Sequence, residues 1–218
     1  MSDVPKIEVS RRGFLKGAGF TAATTVIESA TALARDAKAA AHGEPAAGPE
    51  ALPIKLSVNG QEHAVTIEPR YTLADTLRDH LGLTGTKVVC DRGSCSACTV
   101  WIDKVPSLAC MTLAIDTIGR HVTTIEGLSH GDQMHPLQTA FVKHDAMQCG
   151  FCTPGMVMAC AALLDRNPNP KLDDVKHAVS GNLCRCGTYP KIFAATLDVA
   201  QQRRLSAGLV TLTTAEEA

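Results

Sequence analysis

Aromatic side chains and net charge are both scarce in this 218-residue chain. Phe, Tyr and Trp together make up 4% of the residues, and the formal net charge is −1. A nearly neutral chain lacks the basic field that attracts nucleic acids or anionic membranes, so we expect neither as a partner. Domains with few large side chains have thin cores and usually need a metal or a covalent cross-link. The length allows one or two such domains.

Cysteine, by contrast, is abundant: the chain has nine, and eight of them fall into two groups of four. The first group has the spacing C-x4-C-x2-C followed by a fourth cysteine, which is typical of plant-type ferredoxins. The second group is C-x2-C and, after a long gap, C-x-C. Because a [2Fe–2S] cluster takes four thiolates, the sequence predicts two such clusters and a protein that conducts electrons. The predicted ligands are Cys90, Cys95, Cys98 and Cys110 for the first cluster, and Cys149, Cys152, Cys184 and Cys186 for the second.

Other uses of cysteine fit these spacings less well. Structural zinc prefers two C-x2–4-C pairs or mixtures of cysteine and histidine, and a Rieske centre needs two histidine ligands. A disulfide framework would give Cys184 and Cys186 separate, distant partners. A zinc- or disulfide-stapled exported binding module, which would be colourless, remains the alternative. The ninth cysteine, Cys160, lies at helical spacing with Met156 and Leu164 and is predicted to be a buried hydrophobic residue.

The first 34 residues are predicted to be a twin-arginine export signal rather than part of the fold. The signal is indicated by the run Ser-Arg-Arg-Gly-Phe-Leu-Lys at 10–16. The mildly apolar stretch at 17–27 is too short to span a membrane, and 32–34 offer an A-x-A cleavage site. This route exports folded proteins, so we expect a periplasmic protein whose clusters are inserted beforehand and whose thiols escape disulfide formation.

Residues 35–53 are predicted to be a linker, and 54–130 a plant-type ferredoxin domain with a β-grasp fold. Apolar and polar residues alternate from Ile54, and Asn59-Gly60 predicts a hairpin turn between two strands. Thr72 is predicted to cap a helix that runs to Leu81. Further strands are predicted at 99–102 and 122–125.

The period becomes helical after residue 131, which predicts a four-helix [2Fe–2S] domain over 131–204 and a C-terminal tail at 205–218. Met134, Leu137 and Phe141 share one helical face. A second helix is predicted to be capped by Thr153, a third covers 173–180, and Pro190 opens the last. These helices would bring the C-x2-C pair against the C-x-C pair. The predicted fold class is therefore α+β.

These motifs resemble the iron–sulfur subunits of the xanthine oxidase, or molybdenum hydroxylase, family. The similarity covers about 53–200 and rests on the segments 84–87, 90–100, 124–128, 148–155 and 181–187. With the export signal added, the chain is most similar to the small subunit of a periplasmic aldehyde oxidoreductase.

The resemblance implies an electron-transfer subunit without catalytic residues of its own. A large partner subunit would carry molybdopterin cytosine dinucleotide and oxidise an aldehyde to a carboxylic acid with oxygen from water. Electrons would pass to the helical-domain cluster, then to the plant-type cluster, and then to FAD on a third subunit where one exists. By resemblance, Gln148 and Cys186 would lie near the pterin. Hydroxylation of N-heterocycles and a free-standing exported ferredoxin remain alternative functions.

Two positions depart from the family's usual pattern. Val89 and Ser96 stand where glycine is common, and a positive φ at either position would require a reshaped cluster loop. Three basic residues also lie close to the predicted ligands. Lys87, Arg92 and Arg185 are expected either to offset the negative charge of the clusters or to be solvated surface charges.

Overall fold

In the computed structural model, residues 48–129 and 131–216 are described, with side chains up to position 206. The predicted export signal and positions 35–47 of the predicted linker lie outside the described residues. The first strand, β1, spans Leu52–Val58 and so begins two residues inside the segment predicted as a linker. Among the described residues, no helix has the length and apolar character needed to cross a membrane.

The predicted Asn59-Gly60 hairpin is present. β1 pairs in antiparallel register with β2 (Gln61–Ile67), from Leu52 opposite Ile67 to Val58 opposite Gln61. Asn59 and Gly60 adopt φ values of 52° and 78°. Positive φ at both central residues is the geometry of a tight two-residue hairpin, which asparagine and glycine tolerate at little steric cost.

Five strands form one mixed sheet in the order β2-β1-β5-β3-β4. β3 covers Thr99–Ile102, β4 covers Val105–Leu108 and β5 covers His121–Thr123. β1 and β5 are parallel, and the other neighbours are antiparallel. The β5 strand is shorter than predicted because a 3-10 turn, Ile125–Leu128, begins soon after it.

A short helical segment packs on the sheet and leads into the first cysteine loop. The helix α1, Leu73–Asp75, is capped by Thr72, whose side chain accepts a hydrogen bond from the Asp75 amide. It continues as a π-helical turn, Thr76–His80, which ends before Gly82. Leu73 and Leu77 are fully buried in the core of this N-terminal lobe, as their helical spacing predicts.

Four helices form the C-terminal, helical lobe within the described residues: α2 (Pro136–Lys143), α3 (Thr153–Arg166), α4 (Leu172–Ala178) and α5 (Tyr189–Glu216). The last helix continues to residue 216, through positions predicted to form a tail. Leu137 and Phe141 are buried, whereas Met134 precedes the helix and is 55% exposed. Cys160 is fully buried in α3, where the sequence placed it. The described fold is therefore α+β, as predicted.

The strand β3 joins the two lobes because both of its faces are covered. Side chains of a strand point alternately to opposite faces. Val100 and Ile102 accordingly belong to the core of the N-terminal lobe, whereas Trp101 belongs to the core of the helical lobe. The Trp101 indole Nε1 donates a hydrogen bond of 3.0 Å to the Met158 carbonyl oxygen in α3. This contact anchors the sheet to α3, which begins directly after Cys152.

We expect Trp101→Phe to lower the free energy of unfolding by about 1–2 kcal/mol, because it removes this buried hydrogen bond and part of the packed ring. Chemical denaturation followed by circular dichroism measures the change. Trp101 is the single tryptophan of the chain, so its fluorescence in the native protein should report the same transition. A variant with an unchanged unfolding midpoint would show that the indole does not hold the lobes together.

Candidate iron–sulfur sites

The first cysteine group lies in the loop before β3 and in a 3-10 turn after β4. Cys98 directly precedes β3, and Cys110 lies in the 3-10 turn Ala109–Met111 that follows β4. The β3–β4 hairpin brings the end of β4 back beside Cys98, and the Ala109 amide donates to the Cys98 carbonyl at 3.3 Å. This explains how a cysteine twelve residues downstream in sequence reaches the loop.

The four thiols of this group come together as two pairs. The Cys90 side chain interacts with Cys95, and that of Cys98 with Cys110. A hydrogen bond from the Arg92 backbone, together with the Cys95 thiol, lowers the pKa of Cys90 to about 7. Burial raises the pKa of Cys98 to about 12; a hydrogen bond from the Cys110 backbone opposes this rise, and the Cys110 and Cys95 thiols add to it. Buried thiolates this close together need a positively charged partner to balance them.

The loop backbone turns around Cys90. The Ser94 amide donates to Cys90 Sγ at 3.3 Å, and the Arg92 Nε donates to the Cys90 carbonyl at 3.1 Å. Ser96 adopts φ 54°, so this non-glycine residue occupies the left-handed conformation, whereas Val89 does not. The expected consequence of the two departures from glycine is therefore found at Ser96 alone.

We expect Ser96→Gly to raise the free energy of unfolding by about 0.5–1 kcal/mol. A left-handed conformation costs a non-glycine residue roughly 1–2 kcal/mol, and the greater freedom of glycine in the unfolded chain offsets part of that gain. Denaturant titration of the holoprotein checks the change. Ser94→Gly is the matched control, since Ser94 lies in the same loop without a positive φ and should give no gain. Equal effects at both positions would argue against strain at Ser96.

The second cysteine group lies where two helices of the C-terminal lobe begin. Cys152 is the residue before α3, and Cys184 and Cys186 lie in the loop before α5. The Cys152 and Cys184 side chains interact with each other, and Cys149 acts electrostatically on Cys152. The structure thus pairs Cys152 with Cys184, leaving the exposed Cys149 and the half-buried Cys186 as the remaining predicted ligands.

The paired thiols of the second group have unlike environments. Burial raises the pKa of Cys152 to about 12. Burial acts in the same direction on Cys184, but hydrogen bonds from the Thr188 hydroxyl and amide, from Cys152 and from the Gly187 amide lower its pKa to about 7. The N-terminal ends of two helices also direct amide groups towards this region, which favours negative charge.

The two cysteine groups share one cavity of about 500 Å³. Its walls include Cys90 and Cys95 from the first group and Cys149, Cys152 and Cys184 from the second. Two hydrogen bonds join the loops directly. The Leu183 amide donates to the Cys95 carbonyl at 3.0 Å, and the Asn182 Nδ2 donates to the Ser96 carbonyl at 3.1 Å. Leu183 directly precedes Cys184. Its hydrogen bond to Cys95 therefore links a predicted ligand of the second group to a predicted ligand of the first.

The donor set fits two binuclear clusters. All nine cysteines are free thiols in the structure. Among the side chains that the structure describes, at 48–129 and 131–206, no three His, Cys, Asp or Glu are grouped so as to hold a single metal ion. Tetrahedral zinc would need four ligands around one point, whereas a [2Fe–2S] cluster uses one thiolate pair for each of its two irons. The paired arrangement therefore favours the binuclear cluster.

The other predicted residues occupy varied positions. Gln148 is exposed and precedes Cys149, and Arg185 is exposed on the wall of the shared cavity. The Lys87 Nζ donates instead to the Thr84 carbonyl at 2.8 Å. Of the basic residues, Arg92 makes a hydrogen bond to the backbone of a predicted ligand.

Sequence reasoning missed the residues that hold the two loops in place. The Tyr189 hydroxyl accepts from the Cys184 amide at 2.8 Å and donates to the Asn182 carbonyl at 3.0 Å. Gly155 lies in the first turn of α3 against the first cysteine loop, where a Cβ would come within 2.4 Å of the Ser96 carbonyl. Spacing alone carries no signal for such contacts, because they depend on how the lobes pack.

Comparison with known proteins also divides the chain into two iron–sulfur domains. The family described as the 2Fe-2S iron-sulfur cluster binding domain matches residues 56–114, and the [2Fe-2S] binding domain family matches 124–197. The aldehyde oxidoreductase iron-sulfur-binding subunit PaoA of Escherichia coli (strain K12) is 41% identical over 209 residues, which cover 89% of each chain.

Two solved structures share the fold of most of the described residues. The chain is 44% identical to a chain of quinoline 2-oxidoreductase from Pseudomonas putida 86, with a TM-score of 0.69, and the match covers 71% of this chain and 97% of that one. It is 39% identical to aldehyde oxidoreductase from Desulfovibrio gigas, with a TM-score of 0.65. That match covers 68% of this chain but 17% of the much longer relative.

Proposed function

Because the chain belongs to the family of iron–sulfur subunits of molybdenum hydroxylases, we propose that it is the electron-transfer subunit of a periplasmic molybdenum-dependent aldehyde oxidoreductase. Within the complex it would pass electrons from molybdopterin to FAD through its two [2Fe–2S] sites. The observation that carries the proposal is the shared cavity of about 500 Å³, whose walls include cysteines of both groups, from the two cluster domains. A β-grasp ferredoxin fold followed by a four-helix bundle is the finer arrangement that we propose for these domains.

The reaction requires a subunit of this kind. Oxidation of an aldehyde with water gives a carboxylic acid, two protons and two electrons, and one-electron carriers would take these electrons away one at a time. A [2Fe–2S] cluster, when bound, accepts and releases one electron. This chain would hold its two ligand groups at fixed separation through the hydrogen bonds from Leu183 to Cys95 and from Asn182 to Ser96. That rigidity favours fast transfer because little structure has to move.

The large subunit is expected on a separate chain. The Desulfovibrio gigas enzyme carries the matching domains in 17% of a single polypeptide. The PaoA relative is itself named a subunit and is matched over 89% of its length. By this likeness the remaining functions would reside on partner subunits: molybdopterin cytosine dinucleotide on the large one and FAD on a third. By resemblance, Gln148 and Cys186 would face the pterin.

An apolar rim around the shared cavity supplies a docking surface for the molybdenum subunit. Val89, Phe151 and Leu183 are each 58% exposed and line the cavity, close to the exposed Cys149. Exposed apolar side chains clustered in this way mark interaction sites. A partner seated on this rim would also shield the second cluster from water.

We expect Phe151→Asp to weaken association with the molybdenum subunit at least about tenfold, because a central aromatic contact commonly contributes more than roughly 1.4 kcal/mol. Analytical size exclusion and surface plasmon resonance measure the change. Val105→Asp is the matched control, since Val105 is 57% exposed on β4, away from the cavity wall. Equal weakening by both variants, or none by Phe151→Asp, would remove the rim from the interface.

The export route is part of the proposal. The twin-arginine motif at 10–16 supports transport of the folded, cluster-bearing protein to the periplasm. The match to the PaoA subunit extends over 209 residues, more than the two cluster domains alone occupy. This longer match favours an aldehyde as the substrate of the complex.

A second substrate class has support of its own. The likeness to a chain of quinoline 2-oxidoreductase, at 44% identity, is consistent with an N-heterocycle as the substrate. Small subunits of both kinds would contain the same two cluster sites. The large subunit would decide between them.

Purification of the tagged chain from its native host, with metal analysis and mass spectrometry, tests the function. We expect a complex that contains molybdenum, a large subunit with molybdopterin cytosine dinucleotide, and about four irons per copy of this chain. The purified complex should reduce a dye with aldehydes and not with quinoline or nicotine. Recovery of the chain alone, with iron but without molybdenum, would favour a free ferredoxin and contradict the proposal.

A further inference from the structure

Thr188 lies between the second cysteine group and the last helix. It directly precedes α5, which begins with Tyr189 and Pro190. Thr188 is 4% exposed. Threonine is common before a helix, where its hydroxyl usually accepts a hydrogen bond from a backbone amide of the first turn. Here the Thr188 hydroxyl lies 3.3 Å from Cys184 Sγ.

Other buried threonines of the chain use their hydroxyls differently. Thr76 donates to the Thr72 carbonyl at 2.9 Å, and Thr196 donates to the Ile192 carbonyl at 2.9 Å. Each bonds the carbonyl oxygen four residues earlier, as helical threonines often do. Thr188 also reaches back four residues, but its partner is the side-chain sulfur of Cys184. Thr196 also contacts a cysteine, the non-ligand Cys160, so what distinguishes Thr188 among these three threonines is its contact with the sulfur of a predicted cluster ligand.

The direction of the hydrogen bond follows from the chemistry of a ligand. A cysteine that binds iron is a thiolate without a proton, so Cys184 would accept and the Thr188 hydroxyl would donate. Hydrogen bonds to ligand sulfur tune the reduction potential of an iron–sulfur cluster. Since the reduced cluster carries one more negative charge than the oxidised one, a donor stabilises the reduced form more strongly.

We propose that Thr188 is a tuning residue: its hydroxyl raises the reduction potential of the helical-lobe cluster through Cys184. The proposal rests on the cluster assignment of the proposed function and adds to it a side chain that controls one site alone. In the first cysteine group, the hydrogen bonds to Cys90 sulfur come instead from the backbone of Arg92, Ser94 and Cys95. Thr188 is not among these donors. Replacing it should therefore leave the reduction potential of the first cluster unchanged.

Potentiometric titration of the purified complex, followed by electron paramagnetic resonance, tests the proposal. We expect Thr188→Val to decrease the ratio of reduced to oxidised helical-lobe cluster about tenfold at a fixed potential. For a one-electron couple this corresponds to a midpoint about 59 mV lower. Thr188→Ser retains the hydroxyl and should stay within about twofold of the wild type on the same scale. The signal of the other cluster should not move in either variant.

Thr196→Val is the matched control for the loss of a buried hydroxyl, because Thr196 is fully buried in α5, the helix that follows Thr188, and contacts the non-ligand Cys160. It should leave both potentials unchanged. Thr188→Ala is measured beside Thr188→Val so that the result does not depend on one side-chain shape.

Several results would overturn the proposal. An unchanged helical-lobe potential in Thr188→Val and Thr188→Ala, or an equal shift of both clusters, would exclude local tuning by the hydroxyl. Loss of iron from both variants, with iron retained in Thr188→Ser, would assign the hydroxyl to cluster assembly instead. The wild-type measurement separates the failure of this proposal from the failure of the proposed function. If the wild type shows two cluster signals and the variants keep its potentials, only the tuning role is refuted. If the wild type lacks a second signal, both the tuning role and the proposed function are refuted.

Discussion

Replacing Gly155 by alanine is expected to destabilise the protein by about 3 kcal/mol, at the upper end of the usual cost of overpacking. A Cβ at this position would lie 2.4 Å from the Ser96 carbonyl oxygen and 3.0 Å from the Ala97 carbonyl oxygen. Both neighbours are backbone atoms of the first cysteine loop, so no side-chain rotation can relieve the contact. The loop between Cys95 and Cys98 or the start of α3 would have to move.

Denaturant titration, iron analysis and paramagnetic resonance of the reduced Gly155→Ala protein measure these effects. Beyond the loss of stability, we expect a weaker magnetic interaction between the two clusters, because α3, which directly follows Cys152, would be displaced from the first cysteine loop. Gly181→Ala is the matched control. Its Cβ would meet the Ser96 hydroxyl at 3.1 Å, and that hydroxyl can rotate away. Similar losses in both variants, or none in Gly155→Ala, would show that the close approach is unimportant.

Much of the local structure is readable from the sequence because short-range chemistry determines it. Asn59-Gly60 adopts the predicted hairpin turn, and Thr72 accepts the predicted capping hydrogen bond. Pro154 lies in the first turn of α3, where a missing amide hydrogen has no cost, although the predicted cap at Thr153 is wrong: the helix begins at Thr153, and its N-cap is Cys152, without a side-chain hydrogen bond. In each case the signal and the structure that it predicts lie within a few residues of each other.

The strand β4 shows where such local signals end. It forms a two-residue hairpin with β3, and the turn residues Asp103 and Lys104 adopt φ values of 51° and 65°. Such turns normally carry glycine or asparagine, so Asp-Lys gave no hairpin signal. Pro106 lies within β4 and also argues against a strand, although β4 is an edge strand where proline is tolerated. Tertiary pairing overrides the local preference here.

The candidate sites, too, are predictable from the sequence only in part. The cysteine spacing predicts which thiols form each group, but the pairing of Cys152 with Cys184 depends on the packing of α3 against the loop before α5. The contact between Leu183 and Cys95 joins residues far apart in the sequence. Long-range geometry of this kind has no periodic or compositional trace, because any residue can supply a backbone amide.

Replacing Cys184 by alanine is expected to have the largest effect on the cofactor content. The variant should lose the helical-lobe cluster and retain about two of four irons per chain, since each [2Fe–2S] cluster holds two. Cys184 is the partner of Cys152, and its loss would leave that half-buried thiol without its neighbour. Because a bound metal centre stabilises the fold that binds it, the helical lobe should also unfold at lower denaturant concentration. Iron analysis and paramagnetic resonance of the reduced protein measure the loss.

Cys160→Ala is the matched control for removal of a single thiol from this lobe. Cys160 is fully buried in α3, and burial raises its pKa to about 11, so it is a neutral packing residue rather than a ligand. Its variant should keep about four irons and both signals, at a modest cost in stability from the small cavity. If Cys184→Ala kept both signals, or if Cys160→Ala lost one, the assignment of ligands in the helical lobe would be wrong. If neither protein bound iron, the paired thiols would serve another metal or a disulfide.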